Sequence, residues 1–226
     1  MMDMNQAVPA IGGLDWGALR SMEPASDRWG FDRGLPIDRH YIERFLARHA
    51  QDIRGRCLEV MNANYVRRFG GAAVDSVDVV DINAANPNAT VVGDLADPDT
   101  LGEGRYDCFV LTQTLPMVYD IHALVRNAWA ALRPGGCLLA TAPVNCRYSP
   151  HPEEYWRLTR AAMARLIAEH APDADVEVGA HGNLVTNIGF LTGLASGELT
   201  PEELAFDDPR FPILVTARAR KPPVLA

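Results

Sequence analysis

Three stretches decide the fold: Gly55-Arg-Cys-Leu-Glu-Val60, Val77-Asp-Val-Val-Asp-Ile82 and Thr90-Val-Val-Gly-Asp-Leu95. Each is a short apolar run that delivers a carboxylate at or near its end: Glu59, Asp81 and Asp94. Short β-branched runs separated by turn residues read as strands. A parallel sheet gathers the carboxyl ends of its strands along one edge, where open α/β sheets bind ligands. Three carboxylates in register therefore make an acidic-rimmed crevice. Glu59 and Asp81 suit ribose hydroxyls, which donate hydrogen bonds, and Asp94 suits the exocyclic amine of an adenine. The plainer alternative is three solvated strand ends.

Outward from this core the pattern repeats. Asp38 can cap a helix to about Asp52, with Ile42, Phe45, Leu46, His49 and Ile53 on one face and Arg39 and Tyr41 near its start. Arg56 to Val60 is the first strand, Val77 to Ile82 the second and Thr90 to Gly93 the third. Cys108 to Thr112 is the fourth, with Gln113 and Thr114 at its carboxyl end. Asp120 caps a helix lined by Ile121, Leu124, Val125, Ala128 and Leu132, and Arg133-Pro-Gly-Gly136 stops it. Cys137 to Ala142 is a fifth, nearly all apolar strand, as a strand covered on both faces should be. Thr159 caps a further helix, Val176 to Val178 is a sixth strand, and His181-Gly-Asn183 leads into a helix through Leu194. A short acidic helix near Pro201 to Leu204 precedes a closing strand, Phe211 to Ala219, at or near a sheet edge. Alternation of this period indicates an α/β, doubly wound Rossmann-like sheet with helices on both faces.

The loop after the first strand, Met61-Asn-Ala-Asn-Tyr65, lacks the glycines of a dinucleotide site, and GxGxxG is absent. A phosphate-cradling loop is poorly supported. Asn62, Ala63 and Asn64 leave room for an uncharged part of a ligand, and Tyr65 either stacks on it or packs.

Composition bounds the function. The chain has 226 residues, 48% hydrophobic, with a net charge of −8 and no run of Lys or Arg, which disfavours a phosphate-gripping nucleic-acid interface. No apolar run reaches membrane-spanning length and no leader pattern opens the chain, so a cytoplasmic protein without membrane attachment is expected. Cys57, Cys108, Cys137 and Cys146 form no Cys-x-x-Cys pair and are expected as reduced, mostly buried thiols. No metal-ligand spacing is legible, so no metal is expected. Residues 1–36 form an arm with Trp16 and Trp29, read as a tail or a lid over the crevice; 37–220 form the domain and 221–226 a tail. A homo-oligomer built through the arm stays open.

The chain resembles the class I S-adenosylmethionine-dependent methyltransferases over about Ile37 to Arg220. The resemblance rests on Leu-Glu-Val, Asp81, Gly93-Asp-Leu95 and Leu132-Arg-Pro-Gly-Gly136. Pro36-Ile-Asp-Arg-His-Tyr-Ile-Glu43, Tyr65-x-x-x-Phe-Gly-Gly71 and Leu111-Thr-Gln-Thr-Leu115 are similar to a bacterial methyltransferase-domain subgroup with a non-glycine loop. This implies a seven-stranded sheet whose last strand, Ile213 to Ala219, runs antiparallel. It also implies S-adenosylmethionine as cofactor. Glu59, Asn62 and Tyr65 would then face its amino-acid part, Asp81 the ribose, Asp94 and Leu95 the adenine, and Thr112 and Gln113 the methionine moiety. Arg39 and Tyr41 would close the site. The implied acceptor is a small molecule, a sugar or natural-product hydroxyl, as in natural product biosynthesis. A hydroxyl acceptor benefits from a base. His151 is the first candidate, His181 the second and His122 the third; Tyr148, Tyr155 and Trp156 form a candidate acceptor wall. Two other readings remain: a member of the fold that does not methylate, because the glycine loop is absent, and a nicotinamide-dependent oxidoreductase.

Overall fold

The computed structural model describes residues 21–223. Seven strands form one sheet: β1 (Gly55–Val60), β2 (Val74–Asp81), β3 (Val91–Val92), β4 (Tyr106–Thr112), β5 (Leu132–Pro143), β6 (Asp175–His181) and β7 (Leu214–Arg220). Their order is β3-β2-β1-β4-β5-β7-β6. Pairing is parallel from β3 through β5, and β7 runs antiparallel between β5 and β6. An all-parallel dinucleotide-binding sheet continues 3-2-1-4-5-6 instead. The inserted antiparallel β7 therefore removes the topological ground for the nicotinamide reading. The closing strand lies one place in from the edge, and β6 takes the edge itself.

Among the described residues five α-helices flank the sheet: α1 (Ile37–Arg48), α2 (Ile121–Ala131), α3 (Arg160–His170), α4 (Leu184–Thr192) and α5 (Pro201–Ala205). One buried layer joins the sheet to α2 and α3 through Leu58, Phe109, Leu124, Leu138 and Met163. The other joins it to α1 and α4 through Tyr41, Ile42, Cys57, Cys108, Cys137 and Phe190. Burial of each large apolar side chain contributes about 1.5–3 kcal/mol. Cys57, Cys108 and Cys137 sit side by side across β1, β4 and β5, all as free thiols. Burial holds the Cys137 and Cys146 thiols up at about 12, far from a reactive thiolate. Buried Asp52 takes Arg218 at 2.7 Å and Arg220 at 3.2 Å, tying the turn after α1 to β7.

Local chemistry explains most boundaries. Asp120, Thr159 and Asn183 each accept a backbone N–H in the first turn of α2, α3 and α4. Asp38 does not cap α1. Pro36 takes that place, and Asp38 is a buried residue of the first turn. The expected fifth strand starts too late: β5 begins at Leu132, directly after α2, and Leu132 pairs with Tyr106. Arg133-Pro-Gly-Gly136 is thus the entry of the strand, with Gly135 at φ 79°. No helix among the described residues is long and apolar enough to cross a membrane.

Candidate functional site

The carboxyl ends of β1, β2 and β4 lie side by side, and the residues that follow them define the crevice. β1 ends in a sharp reversal at Met61, whose φ is 71°. Its N–H is donated to the carbonyl of Val80 on β2, at 2.9 Å, so the reversal is pinned to the neighbouring strand. Left-handed backbone is costly for a residue with a Cβ, by about 1–2 kcal/mol. The loop therefore reproduces a glycine conformation without a glycine, and leaves the Met61 side chain 60% exposed at the mouth. From Asn64 the chain turns helical and widens into a π-type turn over Val66–Gly70.

Glu59 is not at the rim. It is 2% exposed, and its two carboxylate oxygens accept the backbone N–H groups of Tyr65 (3.1 Å) and Val66 (2.8 Å). Burial pushes its carboxyl up to about 7, against the two amides that favour the ionised form. Glu59 thus organises the loop rather than presenting itself to a ligand. Tyr65 packs toward Phe69, with ring centroids 6.1 Å apart. Asn62 closes a local turn by accepting the N–H of Asn64 at 3.0 Å.

Asp81 does reach the rim. One oxygen accepts the N–H of Asn83 at 2.9 Å, the other the side-chain amide of Asn86 at 2.6 Å. The same Asn86 amide reaches the Met61 carbonyl at 2.7 Å, joining the ends of β1 and β2. A carboxylate offers about four lone-pair sites, so each Asp81 oxygen keeps one for a hydroxyl. Asp94 is exposed and accepts the N–H of Ala96 at 2.9 Å. Leu95 is buried, its carbonyl held by Asn127 at 3.0 Å.

At the end of β4, Thr112 stays in register with Thr141, and Gln113 turns out at φ 53°. Its side-chain N–H is donated to Asp38 of α1 at 3.0 Å, while its side-chain oxygen is buried with no partner among the described residues. An orphaned acceptor next to a strand end suits a ligand donor such as an ammonium. Arg39 follows Asp38 and lies over Phe31, 5.9 Å from the ring centroid. Tyr41, expected beside it, is fully buried on the other side of α1, stacked on His181 with centroids 6.2 Å apart.

The two histidines proposed for proton transfer differ sharply. His151 is exposed on the loop after β5. His181 ends β6, three strands from β4, with both ring nitrogens engaged: Nδ1 faces Asp207 and Arg44, and Nε2 faces Thr216, each at 3.2 Å. It lines a groove of about 320 Å³ with Arg44, Glu177 and Asp207, which does not include the ends of β1, β2 or β4.

The loops after β4 and β5 are stitched together. Tyr155 donates its N–H to the Pro116 carbonyl at 2.7 Å, and the Trp156 indole N–H reaches the carbonyls of Val118 and Tyr119. Tyr119, which sequence reasoning missed, packs edge-on to Tyr155 at 5.3 Å and near Trp156 at 6.3 Å. The hydroxyls of Tyr148 and Tyr155 both face Glu153. Within the arm, Trp16 lies outside the described residues. Trp29 meets Arg147 of the β5 loop at 4.2 Å, and Ala25 donates to the Thr192 carbonyl at 2.7 Å. Residues 21–36 thus run along the end of α4, touch the β5 loop and meet Arg39 of α1 through Phe31.

This sheet order is that of the class I S-adenosylmethionine-dependent methyltransferase fold. No family model and no curated protein matches the chain. Solved structures do. A SAM-dependent methyltransferase from Archaeoglobus fulgidus aligns at TM-score 0.55 and 11% identity, over 80% of this chain and 94% of the other. The 1,6-didemethyltoxoflavin-N1-methyltransferase of Burkholderia thailandensis, solved with its substrate and S-adenosylhomocysteine, aligns at 0.52 and 14%, over 80% and 77%. The [4+2]-cyclase SpnF aligns at 0.55 and 12%, over 90% and 88%. At such identities the likeness is one of fold.

Proposed function

We propose that the chain is an S-adenosylmethionine-dependent methyltransferase acting on a small molecule, at a hydroxyl of a sugar or natural product. The observation that carries this reading is Asp81: a carboxylate fixed at the end of β2, one acceptor site free on each oxygen, beside a reversal at Met61 and the orphaned acceptor of Gln113. Those donors and acceptors fit an adenosyl sulfonium amino acid. Asp81 takes the ribose diol, Asp94 and Leu95 border the adenine, and Gln113, Thr112, Asn62 and Arg39 surround the amino-acid end. The cofactor, when bound, supplies an electrophilic methyl group. The chain's part is to align an acceptor and exclude water, from which much of the rate of such a displacement derives. Tyr119, Tyr148, Tyr155 and Trp156 provide an apolar wall for the acceptor. His151 on the same loop takes the hydroxyl proton, whereas the saturated ring of His181 suits a structural strut. The protein works in the cytoplasm, and oligomerisation through the arm is compatible with this reading.

A second reading keeps the fold without methyl transfer. Met61 favours it, because an exposed side chain stands at the crevice mouth where a glycine would leave the backbone open. That one structural neighbour is a cyclase fits the same reading.

Calorimetric titration with S-adenosylhomocysteine, beside Asp81→Ala, tests the cofactor site, and methyl turnover separates the two readings. Micromolar binding lost in the variant supports the first reading. No binding to the wild type removes it and leaves the second.

A further inference from the structure

Away from the crevice, α2 and α3 bring three metal-ligating side chains together. His122 lies in the first turn of α2; Glu169 and His170 are the last two residues of α3. His122 Nδ1 is 3.0 Å from His170 Nε2 and 3.6 Å from Glu169 Oε2, and all three ligand atoms lie within 4.8 Å of one another. Around a tetrahedral ion with bonds of about 2.0–2.2 Å, neighbouring ligand atoms stand roughly 3.3–3.5 Å apart. Two of the three separations are therefore close to that spacing before any ion arrives, and the third lies within 4.8 Å.

We propose that His122, Glu169 and His170 form a binding site for a transition-metal dication of the zinc type, which clips the start of α2 to the end of α3. The donor set argues for that class of ion. Two imidazoles and one carboxylate suit Zn²⁺ or its neighbours, whereas Mg²⁺ and Ca²⁺ take oxygen ligands. The surrounding charge argues the same way. Arg165 pairs with the other Glu169 oxygen at 2.5 Å, and Arg126 opposes positive charge on His170, against the carboxylates of Glu169 and Asp120. The field does not attract a cation by itself, so affinity must come from imidazole coordination. The fourth position faces solvent, since His122 and Glu169 are exposed. His122 is three residues from Tyr119, whose ring packs on Tyr155 and Trp156. An ion held there fixes the base of the aromatic wall. The site stands whether or not the chain methylates anything.

The alternative is a simple hydrogen bond between the two imidazoles, and metal titration decides between them. Untagged protein is titrated with Co²⁺ and followed by visible absorption, and its Tm is read with Zn²⁺, beside His122→Ala, His170→Ala and Glu169→Gln. All three positions are at or near the surface, so the variants fold. The expected result is one Co²⁺ site of micromolar affinity with the visible bands of a low-coordinate ion. At a hundredfold excess over Kd, Zn²⁺ raises Tm by roughly 5–10 °C. Both effects vanish in either histidine variant and weaken about tenfold in Glu169→Gln, while Mg²⁺ and Ca²⁺ do nothing. The proposal is overturned if Co²⁺ gives no site below millimolar, or if the site survives His122→Ala and His170→Ala unchanged.

Discussion

Asn86 donates its side-chain amide to Asp81 at 2.6 Å, and so the carboxylate at the end of β2 is oriented by its own following loop. Because the amide also holds the Met61 carbonyl, this one side chain sets the width between the ends of β1 and β2. Under the methyltransferase reading Asp81 accepts two ribose hydroxyls, each a charge-assisted bond of about 1.5–3 kcal/mol. Asp81→Ala is expected to weaken S-adenosylhomocysteine binding by at least about a hundredfold, and Asn86→Ala by roughly three- to tenfold. Calorimetry on the three proteins checks this. A wild-type affinity in Asn86→Ala would mean that the amide does not orient the site.

Met61 carries strain that a smaller residue would release. Glycine tolerates φ 71° without steric cost but loses more entropy on folding. Met61→Gly should stabilise the fold by up to about 1 kcal/mol, the balance of those two terms. Met61→Val should destabilise it by about 1–2 kcal/mol, since a β-branched residue is worse there. Urea unfolding midpoints of the three proteins measure both. Equal midpoints for Gly and Val would show that the reversal is not left-handed in solution.

How far the sequence carries the fold can be judged from particular residues. The strand cores and the caps at Asp120 and Thr159 are legible, because they follow from local periodicity and local hydrogen bonds. The bounds of β5 were not, since its first residues are strand only by pairing with Tyr106. Asp38 looked like a cap, and what turns it inward is Gln113, 75 residues away. Glu59 looked like a rim carboxylate, but its partners are backbone amides, which no side-chain pattern announces. The resemblance puts Tyr41 at the crevice and the loop after the sixth strand puts His181 there, whereas helix rotation and strand order place them together elsewhere. The His122, Glu169 and His170 group has no motif spacing, because it arises from two helices meeting. Tyr119 had a local signal, an exposed aromatic just after the fourth strand, that went unused.

Glu59 makes stability depend on pH in an unusual direction. Its folded carboxyl, at about 7, lies above the ordinary value of 4.5. The folded state therefore holds the proton over a range where the unfolded chain has released it. Its contribution is fully present below about 4.5 and is lost as pH rises through 7. Glu59→Gln cannot ionise, so it should remove this decline from the stability profile. At pH 8 it should also cost about 1–3 kcal/mol, because its amide group meets a backbone N–H that the carboxylate accepted. Urea unfolding at several values between pH 4.5 and 8 reads both effects. Parallel profiles for the two proteins would show that Glu59 titrates normally.

Under the methyltransferase reading, His181 and His151 take different parts, a strut and a base. His181 is wedged between Asp207, Arg44 and Thr216, with the Tyr41 ring stacked on it. Its removal takes the ring from Tyr41 and the side-chain partner from Thr216, while Asp207 and Arg44 keep each other. His181→Ala should therefore destabilise the protein by about 2–3 kcal/mol while leaving S-adenosylhomocysteine affinity within about twofold. His151 is exposed, so His151→Ala should leave stability within about 0.5 kcal/mol. If it takes the acceptor's proton, the same change lowers kcat by roughly 10²–10⁴, most of it regained when pH is raised enough to ionise the acceptor without help. An assay of S-adenosylhomocysteine release, run against hydroxylated acceptors and paired with thermal melts, reads both variants together. An unchanged kcat in His151→Ala would exclude that residue as the base. A stable His181→Ala with low kcat would move the acceptor site to the far edge of the sheet, beside β6.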